Sequence, residues 1–295
     1  MPYVTVVLPC YNERAHVLQE IDRITAALDE SDYSYELLVI DDGSTDGTRD
    51  VLAEAVRRYP AMRFLPFPRN GGSGTARRIG TQQAAGDIVV WTDADMTYPN
   101  ERIPEFVAAL DDDQTIDQVV GARSSEQGTY KFARVPAKWL IRKIASYLTG
   151  TKIPDLNSGL RAFRREVSLP YLGLLPPGFS CVTTLTVAFL SNQHDVRYLP
   201  IDYAKRAGRS KFHPFRDAYR YILQVLRMVM YFNPLKVLMP VALGIMTLGL
   251  GKLVYDLFVH DLRVTGSTVL ALLTGFQVAV LALIGDLVVH SRARR

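Results

Sequence analysis

The sequence predicts an α/β domain with a mainly parallel sheet, followed by a hairpin of two transmembrane helices. Three observations lead there. Short β-rich runs alternate with helical stretches through the first two thirds of the chain; polar clusters end three of those runs; and from Pro234 onward Leu, Val, Ala, Gly and Met dominate. A chain of 295 residues has room for one substantial domain and a short appendage. The average of 48% hydrophobic residues hides this split. A net charge of +4 is too modest to point to nucleic acid.

Residues 3–9 form the first β-rich run. Residues 14–28 carry Val17, Leu18, Ile21, Ile24 and Leu28 at helical spacing. A second strand over 36–40 is stopped by Asp41-Asp42-Gly43-Ser44, and 46–59 is again helical. Residues 87–92 and 118–121 supply two further strands. Helices between strands imply a largely parallel sheet covered on both faces. Ligands of such sheets bind beyond the carboxyl ends of the strands. Tyr11-Asn12-Glu13, Asp41 to Ser44 and Asp93-Ala94-Asp95 therefore share one rim. Gly71-Gly72-Ser73-Gly74 lacks the Lys-Ser/Thr ending of a nucleotide loop, and Arg77 stands where a third glycine would be. It reads as a tight turn into a helix beginning near Thr75.

The tail contains two uncharged runs, 237–251 and 264–285, joined by His260-Asp261-Leu262-Arg263. A bilayer span needs about 20 mainly apolar residues. The second run meets this outright, and the first does so if Lys236 and Lys252 lie near the interfaces. Asp256 and Asp286 fall near the span ends. Arg227 and Lys236 precede the hairpin and Arg292, Arg294 and Arg295 follow it, so both outer ends are expected in the cytosol. No basic and apolar leader opens the sequence, which keeps the catalytic part cytosolic as well. Two cysteines, Cys10 and Cys181, make no disulfide framework. Residues 134–148, with Trp139, Ile144 and Tyr147 among Lys138, Arg142 and Lys143, read as an interfacial helix or as one packed on the sheet. Residues 215–232 mix Tyr219, Leu223 and Met230 with Arg216, Arg220 and Arg227 in the same way.

Asp93-Ala94-Asp95 directly follows the strand Ile88 to Thr92. Two carboxylates on a strand-end turn suit a hard divalent cation and can bring it to a diphosphate. Asp46 reads as a cap of the next helix. The family resemblance set out below implies a donor diphosphate and an anionic acceptor, which would repel each other, and guanidinium groups offset such repulsion. Arg123 and Arg161 are the candidates for the acceptor phosphate. Arg209 and Lys211 close over the diphosphate or attract anionic lipid. A phosphate has a second pKa of about 6 and needs no general base. Asp155 is a base only for a hydroxyl acceptor; with a phosphate it positions the sugar or Arg161, or is structural.

Pro9-Cys10-Tyr11-Asn12-Glu13, Asp41-Asp42-Gly43-Ser44-Thr45-Asp46-Gly47-Thr48, Asn70-Gly71-Gly72, Ala85-Gly86-Asp87 and Asp93-Ala94-Asp95 occur in this order. Gly121-Ala122-Arg123, Asn157-Ser158-Gly159-Leu160-Arg161-Ala162-Phe163-Arg164 and Gly208-Arg209-Ser210-Lys211 follow. As a set over residues 3–215 they resemble the family 2 glycosyltransferases of GT-A fold, in the branch acting on dolichol phosphate and polyprenyl phosphate. The resemblance implies an inverting, metal-dependent hexosyltransferase using a GDP- or UDP-linked sugar, Mg²⁺ or Mn²⁺ and a polyprenyl-phosphate acceptor at a membrane. Pro9, Tyr11, Glu13 and Asp41, with Asp42 nearby, would line the nucleoside pocket. Asp93 and Asp95 would hold metal and diphosphate, and Ser158 would lie with the phosphate-binding arginines. Relatives often carry Gln where Thr97 stands here, which leaves water or Thr97 to complete the metal shell. The implied domains are a catalytic 1–212, an amphipathic 213–233 and a membrane hairpin over 234–295. Two rivals remain: a processive polysaccharide synthase, whose Gln-x-x-Arg-Trp helix is missing, and a non-catalytic scaffold. Two spans leave room for a homo-oligomer, and the sugar is not legible.

Overall fold

The computed structural model describes residues 1–123, 143, 145–147, 149–178, 180–204, 230–231, 233–259 and 263–292. The helix expected over 134–148 and the amphipathic segment 213–233 lie almost wholly outside the described residues, as do Arg209 and Lys211. The chain forms two compact units, Met1–Tyr221 and Ile222–Arg295.

In the first unit β1 (Val4–Cys10), β2 (Tyr35–Asp41), β3 (Met62–Pro66), β4 (Ile88–Trp91), β5 (Ile116–Arg123), β6 (Arg161–Arg164) and β7 (Asp195–Ile201) form a seven-stranded sheet in the order β3-β2-β1-β4-β6-β5-β7. The β3-β2-β1-β4 half is parallel. β6 runs antiparallel between β4 and β5, and β7 pairs parallel to β5. Helices α1 (Val17–Asp29), α2 (Thr48–Ala55) and α4 (Ile103–Asp111) cover one face; α3 (Ser73–Gln83) and α5 (Cys181–Ser191) cover the other. Alternation in β1 sends Val4, Val6, Leu8 and Cys10 to the first core and Val7 to the second. A strand buried on both faces reads as a continuous apolar run, which is why β1, β2 and β4 were expected.

The expected helix over 46–59 is shorter, because Asp46 and Gly47 form the turn before it and α2 ends at Ala55. β3, β6 and β7 add to the sheet beyond the strands expected from the sequence. The glycine turn enters α3 as expected, with Gly72 at φ 87°. At Gly74 a Cβ would stand 2.0 Å from the Pro176 carbonyl oxygen, so the 176–178 loop lies directly on the helix start.

In the second unit, α6 (Pro234–Val259) and α7 (Gly266–Arg292) pack as a hairpin, and both contain stretches long and apolar enough to cross a membrane. Gly249 and Gly275 let them approach: a Cβ there would meet Leu272 at 2.9 Å and Met246 at 2.5 Å. Asp256 lies near the end of α6, as its span-end position suggested. It is buried, accepting the Thr265 N–H at 2.9 Å, the Thr268 hydroxyl at 2.5 Å and Lys252 Nζ at 3.2 Å. These bonds tie the end of α6 to the start of α7.

Candidate active site

The carboxyl ends of β1, β2 and β4 place three polar turns side by side. Beyond β4, the Thr92 hydroxyl donates to Asn100 Oδ1 at 2.5 Å, and Asn100 Nδ2 donates to Glu20 Oε1 at 2.6 Å. All three side chains are buried. Burial pushes the Glu20 carboxyl up, against hydrogen bonds from Asn100 and the Met96 backbone and the Arg23 charge. Asp95 is 8% exposed, and its Oδ1 accepts the Thr97 hydroxyl at 2.5 Å. Met96 between them has φ 60°, a left-handed conformation that a side chain disfavours. On the other side Arg77 Nη2 donates to Asp93 Oδ1 at 2.6 Å and to the Thr92 carbonyl at 3.3 Å. Arg77 is 1% exposed and lies over the Trp91 ring. Burial disfavours its charge, but Asp93 together with Cys181 and Tyr98 outweighs this and holds the guanidinium ionised.

Among the described residues no group of three or more His, Cys, Asp and Glu is placed to hold a metal. Asp93 and Asp95 supply two hard oxygen-donor groups. Mg²⁺-like ions suit such a set, because they take one or two carboxylates and complete their shell with substrate phosphates and water. The donor chemistry therefore fits a divalent cation bound together with a diphosphate. Thr97, left open above as a ligand, here fixes the Asp95 rotamer.

The first two rim turns are stitched together. Asn12 (φ 58°) takes its backbone N–H to Ser44 Oγ at 3.0 Å and accepts the Thr45 N–H at 2.8 Å. The Glu13 N–H donates to Thr48 Oγ1 at 3.1 Å, and Tyr11 stands 39% exposed at the rim. Pro9 pairs opposite Ile40, next to these turns. Asp41 is fully buried, accepting the Ser44 N–H at 3.0 Å and Arg49 Nε at 2.8 Å. Asp42 accepts the N–H groups of Gly71 and Gly72 at 2.7 and 2.8 Å, so it holds the glycine turn. Burial raises its carboxyl above the ordinary value despite those two bonds. The Gly74 N–H donates to the Pro177 carbonyl at 2.7 Å. With its donors so occupied, the glycine turn is not a phosphate loop. The N-cap of α2 is Gly47 and not Asp46, which stands one residue earlier and accepts the Thr48 N–H at 3.0 Å. Asn12, Glu13, Arg14, His16 and Asp46 line an open cleft of about 510 Å³ beside these turns.

On the opposite side of the rim, Arg123 at the end of β5 forks onto Asp155, with Nε at 2.6 Å and Nη2 at 2.9 Å. Asp155 thus pairs with Arg123, where the sequence reading had it positioning the sugar or Arg161. Burial would raise the Asp155 carboxyl, but the Arg123 hydrogen bonds and charge outweigh it and hold it below the usual carboxylate range. A depressed folded-state pKa contributes stability that is complete above the unfolded value, about 3.9, and lost as pH falls through the folded one. Thermal melts below pH 4 are therefore expected to lose more stability in the wild type than in Asp155→Asn. At neutral pH Asp155→Asn is expected to cost about 3 kcal/mol by removing the negative charge that faces the Arg123 guanidinium. Parallel acid profiles would remove Asp155 from this account.

Arg161 is not brought to the rim by its side chain. It is fully buried, with Nη1 donating to the Val182 carbonyl at 2.7 Å and Thr186 Oγ1 at 2.8 Å, and Nη2 to the Ser158 carbonyl at 2.5 Å. Its expected grip on a phosphate is replaced by a grip on α5 and the 158 loop. Burial, reinforced by the Arg77 charge, pulls its pKa down to about 10. Ser158 is buried and its hydroxyl has no hydrogen-bond partner among the described residues. Gly159 faces the Asp93–Asp95 turn, where a Cβ would stand 2.6 Å from Asp93 Oδ2. The sequence reading passed over Arg77, Arg49, Asn100, Glu20 and Tyr98. Arg77 was noticed only as a missing glycine, and its position on α3 beside an acidic turn was the available signal.

Residues 5–170 match the model of the family Glycosyl transferase family 2, and residues 233–290 match that of the GtrB C-terminal hairpin. The chain is similar to an undecaprenyl-phosphate 4-deoxy-4-formamido-L-arabinose transferase of Pseudomonas syringae, 33% identical over 221 residues, covering 72% of this chain and 62% of that protein. A protein so described from Aeromonas hydrophila is 37% identical over 166 residues, 56% of this chain and 49% of its own length. The chain thus spans less than two thirds of the length of these relatives. Glucosyl-3-phosphoglycerate synthase from Mycobacterium tuberculosis, solved with phosphoglyceric acid, shares the fold with TM-score 0.60 at 24% identity, over 77% of this chain and 80% of that one. That synthase has also been crystallised with Mn²⁺, UDP-glucose and phosphoglyceric acid, at TM-score 0.59 and 21% identity over the same shares of the two chains.

Proposed function

The chain belongs to glycosyl transferase family 2, and from that premise we propose that it transfers a hexose from a GDP- or UDP-linked donor to polyprenyl phosphate. The product is a β-linked polyprenyl-phosphate monosaccharide, formed with inversion at a membrane surface. The observation that carries this reading is the meeting of two acidic carboxylates, Asp93 and Asp95, with the Gly159 loop at the strand ends of a GT-A sheet. The relatives' undecaprenyl-phosphate chemistry and the matched hairpin support a lipid acceptor.

In this reading Pro9, Tyr11, Glu13 and Asp41 border the nucleoside site, and Asp42 keeps the neighbouring glycine turn in shape. Asp93 and Asp95 hold Mg²⁺ or Mn²⁺, which when bound neutralises charge on the departing diphosphate. The acceptor phosphate is ionised at neutral pH and attacks without a general base. Asp155, locked to Arg123, therefore serves by keeping that guanidinium at the rim, where it offsets anionic charge. Ser158 and Arg161 shape the loop that faces the metal turn. Arg209 and Lys211 lie outside the described residues, and their assignment to the diphosphate rests on the resemblance alone. Basic residues at the outer ends of the hairpin place the catalytic unit and both termini in the cytosol, with two passes through the cytoplasmic membrane.

The test is transfer of label from GDP- and UDP-sugars into extractable lipid, using purified protein, undecaprenyl phosphate and Mg²⁺ or Mn²⁺. Metal-dependent labelling of a lipid monophosphate sugar is expected from one donor class. Nucleotide binding without lipid labelling by any donor would overturn the acceptor assignment.

A further inference from the structure

We propose that Arg77 makes cation binding at the Asp93–Asp95 turn conditional on the donor's diphosphate, so that metal and nucleotide enter as one unit; this rests on reading the two carboxylates as metal ligands. Arg77 comes from α3, whereas the turn follows β4, and the two meet in the interior rather than in solvent. Its Nη2 is 2.6 Å from Asp93 Oδ1, and its side chain is 1% exposed against 26% for that of Asp93. A guanidinium stays protonated throughout the working range, and burial weakens the screening of its charge. The turn therefore carries a permanent internal cation in contact with one of its carboxylates.

Two of the carboxylates around it face cations of their own, although Glu20 shares Arg23 with Glu101. Asp155 is paired with Arg123 at 2.6 Å, and Glu20 lies 3.4 Å from Arg23. Arg161 is a second buried guanidinium near Arg77, and it donates to neutral acceptors, the Val182 and Ser158 carbonyls and the Thr186 hydroxyl. Two buried cations thus stand behind two carboxylates. A bare divalent ion meets a turn in which Arg77 already offsets one of the two carboxylate charges, and it must also displace its own hydration, which small divalent ions give up reluctantly. A nucleoside diphosphate brings the negative charge that is missing. The same buried cations attract the diphosphate, so each ligand favours the other, and the coupling is reciprocal.

Mn²⁺ binding to the full-length protein in detergent, read by titration calorimetry with and without UDP or GDP, tests this directly. In the wild type, nucleotide is expected to tighten Mn²⁺ at least about tenfold, within the usual range of coupling between sites. Arg77→Met, which keeps the length and removes the charge, is expected to bind Mn²⁺ alone several-fold more tightly and to lose most of that ratio. Arg77→Lys keeps a cation and is expected to retain it. If Arg77 only braced α3 against β4, Arg77→Met would bind bare Mn²⁺ more weakly, the opposite sign, and that result overturns the inference. Equal Mn²⁺ affinity with and without nucleotide in the wild type overturns it too, whether or not the variants fold, while leaving the proposed transferase standing. Failure to bind any nucleotide or metal would instead remove the proposed function beneath it.

Discussion

Asp95→Asn is expected to lower kcat for sugar transfer by roughly 10²- to 10³-fold while leaving the melting temperature within a few degrees of wild type. Loss of a metal ligand forfeits several kcal/mol of charge stabilisation on the leaving diphosphate, and each 1.36 kcal/mol is about tenfold in rate. The fold should tolerate the change, because Asn keeps Oδ1 as an acceptor for the Thr97 hydroxyl, now at 2.5 Å. Side-chain volume is also retained at this buried position. Turnover, Mn²⁺ titration in the presence of UDP or GDP, and a thermal melt together separate the possibilities. Near-normal turnover with a normal melt would remove Asp95 from the metal site. Loss of both activity and folding would point to the turn itself, with Met96 at φ 60° the place to look.

Much of the sheet was legible because β1, β2 and β4 are buried on both faces and so read as unbroken apolar runs. β3, β6 and β7 escaped for identifiable reasons. Met62–Pro66 lies at a sheet edge, where Arg63 reaches out to Glu36 at 2.7 Å and Pro66 ends the strand. Arg161–Arg164 has an arginine at each end, and both look like site residues until Arg161 is seen bonded to α5 and Arg164 to the Leu110 and Ile116 carbonyls. Asp195–Ile201 is the other edge and only its last residue is buried.

The carboxylates were legible by position, since a parallel sheet brings its strand ends to one rim. Their partners were not. Arg77 and Asp93 lie 16 residues apart, and Arg123 and Asp155 lie 32 apart, so no local spacing announces either pair. Nor does a sequence say which way a buried arginine points. Arg161 and Arg77 both belong to motif-like stretches, yet one side chain grips a helix and the other the Asp93 carboxylate.

Gly159→Ala should be the most disabling change that leaves every charged group in place. The added Cβ would stand 2.6 Å from Asp93 Oδ2 and within 3.1 to 3.2 Å of the Tyr98 ring and hydroxyl. Neither side can yield freely. The Gly159 N–H donates to Tyr98 OH at 2.7 Å, and the preceding Ser158 carbonyl is held by Arg161. Tyr98 is buried and stacks edge-on against Tyr203 at 5.1 Å. Asp93 is anchored by Arg77, but it is the more exposed partner, so the carboxylate is the group that must turn. Overpacking of this kind costs typically 1 to 3 kcal/mol, and a catalytic group displaced by about 1 Å loses roughly 10²-fold in rate. We therefore expect Gly159→Ala to melt several degrees lower, to lose about 10² in kcat and to bind Mn²⁺ with UDP or GDP more weakly. Gly173→Ala is the control, because a Cβ there meets nothing within 4 Å, and it should be silent in all three measurements. If Gly159→Ala turns over like wild type, the loop has room to retreat. Asp93 would then keep its place, and the expected displacement of the carboxylate would be overturned.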